Sequence, residues 1–192
     1  MQLVFATHNK HKFEEICSLL KNRASLLNLN DLGIFEEIEE TGKTLKENAQ
    51  LKAKYIFERY KLNVFADDTG LEVDALNGDP GVYSARFAGN EKNASKNVEK
   101  LLKIMKNIEN RQACFKTIIA LYYENNIHYF EGTVEGTILE KPIGNKGFGY
   151  DPVFMPKGYN KSFAQMNIEI KNKISHRAIA IEKLVDFFSL KN

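Results

Sequence analysis

The sequence predicts an α/β protein forming a single domain over residues 1–192, and three observations lead there. Leu3-Val4-Phe5-Ala6 is an apolar run of strand length, and Phe13, Ile16, Cys17 and Leu20 follow at helical spacing. A second apolar run, Leu62 to Ala66, precedes Asp67-Asp68-Thr69-Gly70, after which Leu71, Val73 and Ala75 alternate with Glu72 and Asp74 as in a half-buried strand. Gln112 to Glu124 and Ile127 to Ile138 are rich in β-branched and aromatic residues and read as a long hairpin turning at Asn125-Asn126.

The elements between these follow from local signals. Leu26 to Leu32 reads as a short strand, and the acidic run Glu36, Glu37, Glu39 and Glu40 reads as a solvated face. Thr44-x-x-Glu47 is a capping-box signature that opens a helix to Tyr60, with Leu45, Ala49, Ala53, Ile56 and Tyr60 as its apolar stripe. Asn77-Gly78-Asp79-Pro80-Gly81 predicts a tight turn. Asn93 caps a helix whose inner face is Val98, Leu101, Leu102 and Met105, and Ser162-x-x-Gln165 predicts a short capped turn. Ser175 opens a last helix with Ala178, Ile181, Val185 and Phe188 facing inward.

Composition narrows the class. A chain of 192 residues, 43% hydrophobic and 27% charged, is ordinary for a globular fold with one substantial core. The net charge of +2 gives no reason to expect a nucleic-acid or membrane partner, so any anionic ligand must be met by local cations. Cys17 and Cys114 fall at expected core positions as buried thiols, and with the four histidines they form no zinc-like spacing. The chain enters a strand without a charged leader and has no run of the ~20 apolar residues that span a bilayer. A cytoplasmic protein is expected.

Several stretches carry chemistry. The expected strand places Asp67 and Asp68 at its carboxyl end, where open α/β sheets bind ligands. Two adjacent anions need a cation, a proton or hydrogen bonds to offset their repulsion, and a metal ion fits; a plain polar turn fits the same residues. Thr7-His8-Asn9-Lys10-His11-Lys12 joins a strand to a helix, where free N–H groups attract phosphate and the lysines add charge; a capped helix with solvated lysines is the alternative. Asn48 and Lys52 stand four apart on one helix face with Glu40 just before it, which brings an amide, an ammonium and a carboxylate to one edge unless Lys52 points to solvent. Arg86 offers a partner for phosphate or carboxylate, or a surface ion pair. Gly144 to Pro152 surrounds Phe148 and Tyr150 with glycines, so a ring there either stacks on a planar base or packs inside a hairpin loop. His176 and Arg177 put cations at a helix start, which an anion nearby would explain.

Together, THNKHK, EETG with ENAQLKA, ADDTGLEVDALNGDPGVYSARFAG, GFGYDPVF and SHR resemble the Ham1/RdgB family of inosine triphosphate pyrophosphatases, in order and spacing and nearly end to end. The resemblance implies a long mixed β-sheet with flanking helices forming two lobes around a central cleft, and a homodimer. It implies Mg²⁺-dependent hydrolysis of a purine nucleoside triphosphate (ITP, dITP or XTP) to the monophosphate and pyrophosphate. Thr7, His8, Asn9, Lys10, His11 and Lys12 would hold the triphosphate with Lys52 near it, and Glu40 and Asp68 would ligate magnesium, Asp68 also serving as catalytic base. Thr69 stands for the serine often found beside that acid. Phe148, Gly149, Tyr150, Asp151, Lys171, His176 and Arg177 align with positions that contact base and ribose. His8 replaces a residue usually small in the family, and His11 often corresponds to Gly. A Maf-type nucleotide pyrophosphatase and a nucleotide-binding regulator without turnover are the alternative readings.

Overall fold

The computed structural model describes residues 2–20 and 23–190. Its strands are β1 (Gln2–Phe5), β2 (Ser25–Leu27), β3 (Val64–Val73), β4 (Pro80–Gly81), β5 (Gln112–Tyr123), β6 (Asn126–Ile138) and β7 (Phe154–Pro156). The helices are α1 (Lys10–Leu19), α2 (Leu45–Tyr60), α3 (Ala94–Ile104), α4 (Ile168–Ile174) and α5 (His176–Ser189). The sheet order is β2-β1-β3-β5-β6-β7, with β4 paired to β3. It is mixed, because β1 runs parallel to β2 and β3, whereas β4 is antiparallel to β3 and β7 to β6. The expected α/β class with a mixed sheet and flanking helices is what the chain forms. Among the described residues no helix is long and apolar enough to cross a membrane.

The chain divides into two compact units, one of residues 1–68, 117–132 and 176–192, the other of 69–116 and 133–175. Each has its own core. In the first, Leu3, Phe5, Ile16, Leu20, Phe65, Ile119, Leu121, Ala180, Ile181, Leu184 and Phe188 pack together, with the Phe5 and Phe65 rings stacked at 4.7 Å. Such a pair adds about 0.5–1.5 kcal/mol to the burial itself. In the second, Phe115, Phe154 and Phe163 sit amid Leu71, Val73, Leu101, Met105 and Tyr150. Arg111 ties this unit by donating to the carbonyls of Met105, Ile138 and Leu139 at 2.6–3.0 Å.

Local signals fix most boundaries. Thr44 caps α2 by accepting from Glu47 N, Asn93 caps α3 from Lys96 N, and Ser162 with Gln165 forms a complete capping box on a 3₁₀ turn. Five expectations need correction. The expected second strand stops at Leu27, because Asn28 and Asp31 exchange side-chain to backbone bonds of 2.8 and 3.0 Å, and such local bonds compete with a ladder. The hairpin turns one residue early, at Glu124 (φ 49) and Asn125 (φ 63), since a two-residue primed turn needs positive φ at both centres. Cys17 is exposed and Cys114 half-buried, because α1 turns Glu15, Ile16 and Leu20 inward and leaves Cys17 on its outer side. Tyr60, at the end of α2, is exposed as well.

The fifth correction bears on the site. Asp67 and Asp68 do not end a strand, since β3 continues through Thr69-Gly70 to Val73. Gly70 permits this: a Cβ there would meet the Gly81 carbonyl at 2.6 Å, so only glycine lets β4 pair so closely. The parallel ladder with β1 ends at Phe5↔Phe65, however, so both acids lie just beyond its carboxyl end.

Candidate active site

The first unit gathers acids and cations from β3 and three helices. Successive strand residues face opposite sides, so Asp67 points toward α1 and α5 and Asp68 toward α2. Lys12, in the first turn of α1, donates from Nζ to Asp67 Oδ1 at 3.0 Å, and Arg177 Nε, in the first turn of α5, lies 3.5 Å from Asp67 Oδ2. Arg177 also pairs with Glu15 of α1 and is 1% exposed. The anions that a cation at a helix start called for are therefore Asp67 and Glu15.

On the other side of the strand, Asn48 Nδ2 donates to Asp68 Oδ2 at 3.1 Å, and Asn48 Oδ1 accepts from Gly42 N at 2.8 Å. Lys52, one turn further along α2, bonds Glu40 and lies 3.8 Å from Asp68 Oδ1. The amide, the ammonium and the carboxylate flagged by spacing are thus together on Asp68. Glu36, from the same acidic run as Glu40, is fastened to α2 by Tyr55 and Arg59 at 3.0 and 3.2 Å. Glu36 and Glu40 of that run are therefore structural.

Burial and charge push the two aspartates apart. Burial disfavours the Asp67 carboxylate, but Lys12, Arg177 and Lys52 outweigh it and hold its pKa far below the usual range. At Asp68 burial prevails over Lys52 and Lys12, so its pKa is raised. Burial lowers Lys12 despite Asp67, whereas Lys52 is raised because Asp68 and Glu40 overcome its burial.

The loop from Thr7 to Lys12 is ordered by its own polar groups. Asn9 N donates to Thr7 Oγ1, and Asn9 Oδ1 caps α1 by accepting from Lys12 N, both at 3.1 Å. His8 Nε2 lies 3.0 Å from the Glu36 carbonyl, which can only accept, so the ring donates. Lys10 turns to Glu14 at 3.7 Å on the exposed side, and His11 is exposed too. His176 is buried at the start of α5.

The second unit holds the remaining expected residues. Asp151 Oδ2 accepts from Phe148 N at 2.9 Å and from Lys171 Nζ at 2.6 Å, and the Lys171 ammonium lies 5.3 Å from the Phe148 ring centre. Asp151 and Lys171 are both buried. Tyr150 is buried with its hydroxyl donating to the Ser84 carbonyl at 2.9 Å, and burial pushes its pKa up. Gly149 takes positive φ, and Thr69 is half-buried on β3. Arg86 stacks over Tyr83 at 5.2 Å.

For a divalent ion, Glu40 and Asp68 offer hard oxygen donors of the kind magnesium prefers, and an ammonium already lodges between them. No group of three or more His, Cys, Asp or Glu able to hold a metal occurs among the described residues. Two carboxylates completed by phosphate oxygens is nonetheless a usual magnesium arrangement. Residue reasoning missed Glu15 and the scaffold role of Asp67. The adjacency of the aspartates was a signal for the second; nothing local marked the first.

Fold and cluster define an α/β protein in which a mixed sheet sets paired acids against lysines and a polar strand-to-helix loop. The pattern of the Ham1 family matches residues 3–187, and the chain belongs to that family. A dITP/XTP pyrophosphatase of Christiangramia forsetii is 54% identical over 189 residues, covering 98% of this chain and 100% of the relative. One of Porphyromonas gingivalis is 51% identical over 187 residues, covering 97% of this chain and 96% of the relative. The solved Ham1 protein of Staphylococcus aureus superposes with a TM-score of 0.90 at 38% identity, over 100% of both chains.

Proposed function

We propose that the chain is a pyrophosphatase that hydrolyses dITP, XTP and ITP to the monophosphate and pyrophosphate, clearing them from the nucleotide pool. Full-length identity to dITP/XTP pyrophosphatases supports the substrate class. The observation that carries the chemistry is the cluster of Asp68, Glu40 and Lys52 beside Lys12 and the Asn9-capped start of α1.

Thr7, Asn9 and the first N–H groups of α1 suit a triphosphate, because a helix start combines free donors with positive potential. Lys12 and Lys52 would stabilise charge on the departing pyrophosphate. Asp68, whose pKa lies above that of its neighbour, would orient a water for attack on the α-phosphorus and take its proton. Glu40 and Asp68 would hold Mg²⁺, which supplies charge neutralisation at the phosphates and makes a nearby water more acidic. Asp67 holds Lys12 and Arg177 in place and stays ionised. Phe148, positioned by Asp151 and backed by Lys171, would stack on the purine, with Gly149 and Tyr150 shaping the loop and His176 and Arg177 on the base and ribose side.

The reading extends to one ITPase-like domain over residues 1–192, acting as a cytoplasmic homodimer on a small-molecule substrate, with no nucleic-acid or membrane partner. The test is to incubate the protein with dITP, ITP, XTP, GTP, ATP and dTTP, with and without Mg²⁺, and to identify both products. Monophosphate and pyrophosphate from the first three, dependent on Mg²⁺, are expected. Orthophosphate as product, equal kcat/KM for GTP, or preference for dTTP would overturn the assignment.

A further inference from the structure

Lys52 occupies a position that a metal ion would also want. Its ammonium bonds Glu40 and stands 3.8 Å from Asp68 Oδ1, with only 12% of the side chain exposed. Asp68 Oδ2 accepts from Asn48, while Asp68 Oδ1 and Glu40 Oε1, two oxygens that a divalent ion would use, face Lys52. Two neighbouring carboxylates in a poorly hydrated place need a counter-cation, and removing it leaves a costly uncompensated charge. An ammonium and a divalent ion are alternative answers to one requirement. Lys12 is placed differently, with its ammonium on Asp67 across the strand.

We propose that Lys52 is the resident counter-cation of the Glu40–Asp68 pair, so that a divalent ion loads well only together with the triphosphate, whose oxygens take over the ammonium. The inference rests on the reading of Glu40 and Asp68 as metal ligands. Lysine suits the task because its charge is compact and its four-carbon stem is flexible, so the head group can move from carboxylate to phosphate without moving the helix. Linkage then fixes the thermodynamics: if the nucleotide raises metal affinity by some factor, the metal raises nucleotide affinity by the same factor. The empty protein keeps its acids compensated, and free metal in the cell does not fill the site ahead of substrate.

The experiment titrates Mn²⁺, read by electron paramagnetic resonance, into the unmodified protein, Lys52→Met, Lys52→Gln and Lys12→Met without nucleotide, and repeats each with the α,β-imido analogue of dITP. In the unmodified protein the analogue should tighten Mn²⁺ about tenfold or more, within the usual range of coupling. Lys52→Met should tighten Mn²⁺ in the nucleotide-free protein by about tenfold and remove most of the coupling. Lys12→Met, which removes the same charge from the other side of the strand, should give a gain at least about threefold smaller. Lys52→Gln keeps a donor for Glu40 without the charge and serves if the Met variant does not fold. Unchanged or weaker Mn²⁺ binding in both Lys52 variants, or equal binding to the unmodified protein with and without the analogue, overturns the proposal. Failure of the underlying reading looks different: no form binds Mn²⁺ even with the analogue, or Asp68→Asn leaves Mn²⁺ affinity untouched, and either result removes both.

Discussion

Asp67 and Asp68 are consecutive on β3, yet their carboxylates are driven in opposite directions. The first is 1% exposed between Lys12 and Arg177 and is held strongly ionised; the second, beside Asn48 and Lys52, has its pKa raised by burial. Strand alternation makes this possible, because neighbours one residue apart meet different helices. One acid is held ionised by its cations, and burial makes the other easier to protonate.

That division predicts a kinetic result for Asp68→Asn. The asparagine keeps an oxygen for Asn48 Nδ2, so the melting temperature should move by only a few degrees, while kcat for dITP falls by at least about a hundredfold, the lower end for lost acid–base help. Pyrophosphate release and a thermal melt on the same sample check it. A folded variant with near-normal turnover would falsify the catalytic assignment.

Asp67→Asn should fail differently. It leaves Lys12 and Arg177 buried with one counter-ion fewer, so a loss of about 3–5 kcal/mol is expected at neutral pH. Because the folded pKa is depressed, this contribution is complete well above the unfolded value of about 3.9 and drains away as pH falls toward the folded value. Asp68 has the opposite sign, since its raised pKa favours the protonated native form on acidification. Urea melts at pH 7 and pH 3 should therefore show the deficit of Asp67→Asn shrinking in acid. A constant deficit would mean that ion pairing is not what the aspartate supplies.

How much of this was readable beforehand depended on whether the deciding contact was local. The caps at Thr44 and Asn93, the apolar faces of α2 and α3 and the hairpin depend on residues within a turn or two, and spacing alone located them apart from the exposed Tyr60 and a one-residue offset of the turn. The unbroken course of β3 depends on Gly81 approaching Gly70, and Thr-Gly read in isolation looks like a turn. Glu15 was invisible for the same reason: a glutamate on an amphipathic helix normally faces water, and its partner Arg177 is 162 residues away. Asn48, Lys52 and Glu40 could be grouped because two share a helix face and the third precedes it, but Asp68 had to be brought to them by the sheet.

The cysteines, once expected in the core, give a labelling prediction. Burial, reinforced by the Glu72 carboxylate 3.7 Å away, pushes the Cys114 thiol up to about 11. At pH 8 only about one such thiol in a thousand is ionised. Cys17 is exposed, so iodoacetamide should modify it well before Cys114, as peptide mass mapping over time would show. Glu72→Gln removes the neighbouring negative charge and should speed Cys114 labelling; if it does not, the carboxylate has no hold on the thiol.

Gly147 carries the last prediction, because its missing side chain makes room for the Asp151 carboxylate. A Cβ there would lie 2.0 Å from Asp151 Oδ2, and the residue's φ of +72 is itself unfavourable for alanine. That oxygen accepts from both Phe148 N and Lys171 Nζ, so Gly147→Ala must displace it. Phe148 then loses its anchor, and Lys171, 4% exposed, loses its counter-ion. If Phe148 stacks on the base, KM for dITP should rise about tenfold, the order of one lost base–aromatic stack, with a smaller effect on kcat because the contact is made equally in ground and transition states. Phe148→Ala should reproduce the KM effect while keeping the Asp151–Lys171 pair and most of the thermal stability. An unchanged KM in Phe148→Ala would take the ring out of substrate recognition and leave the Gly147 effect as purely structural.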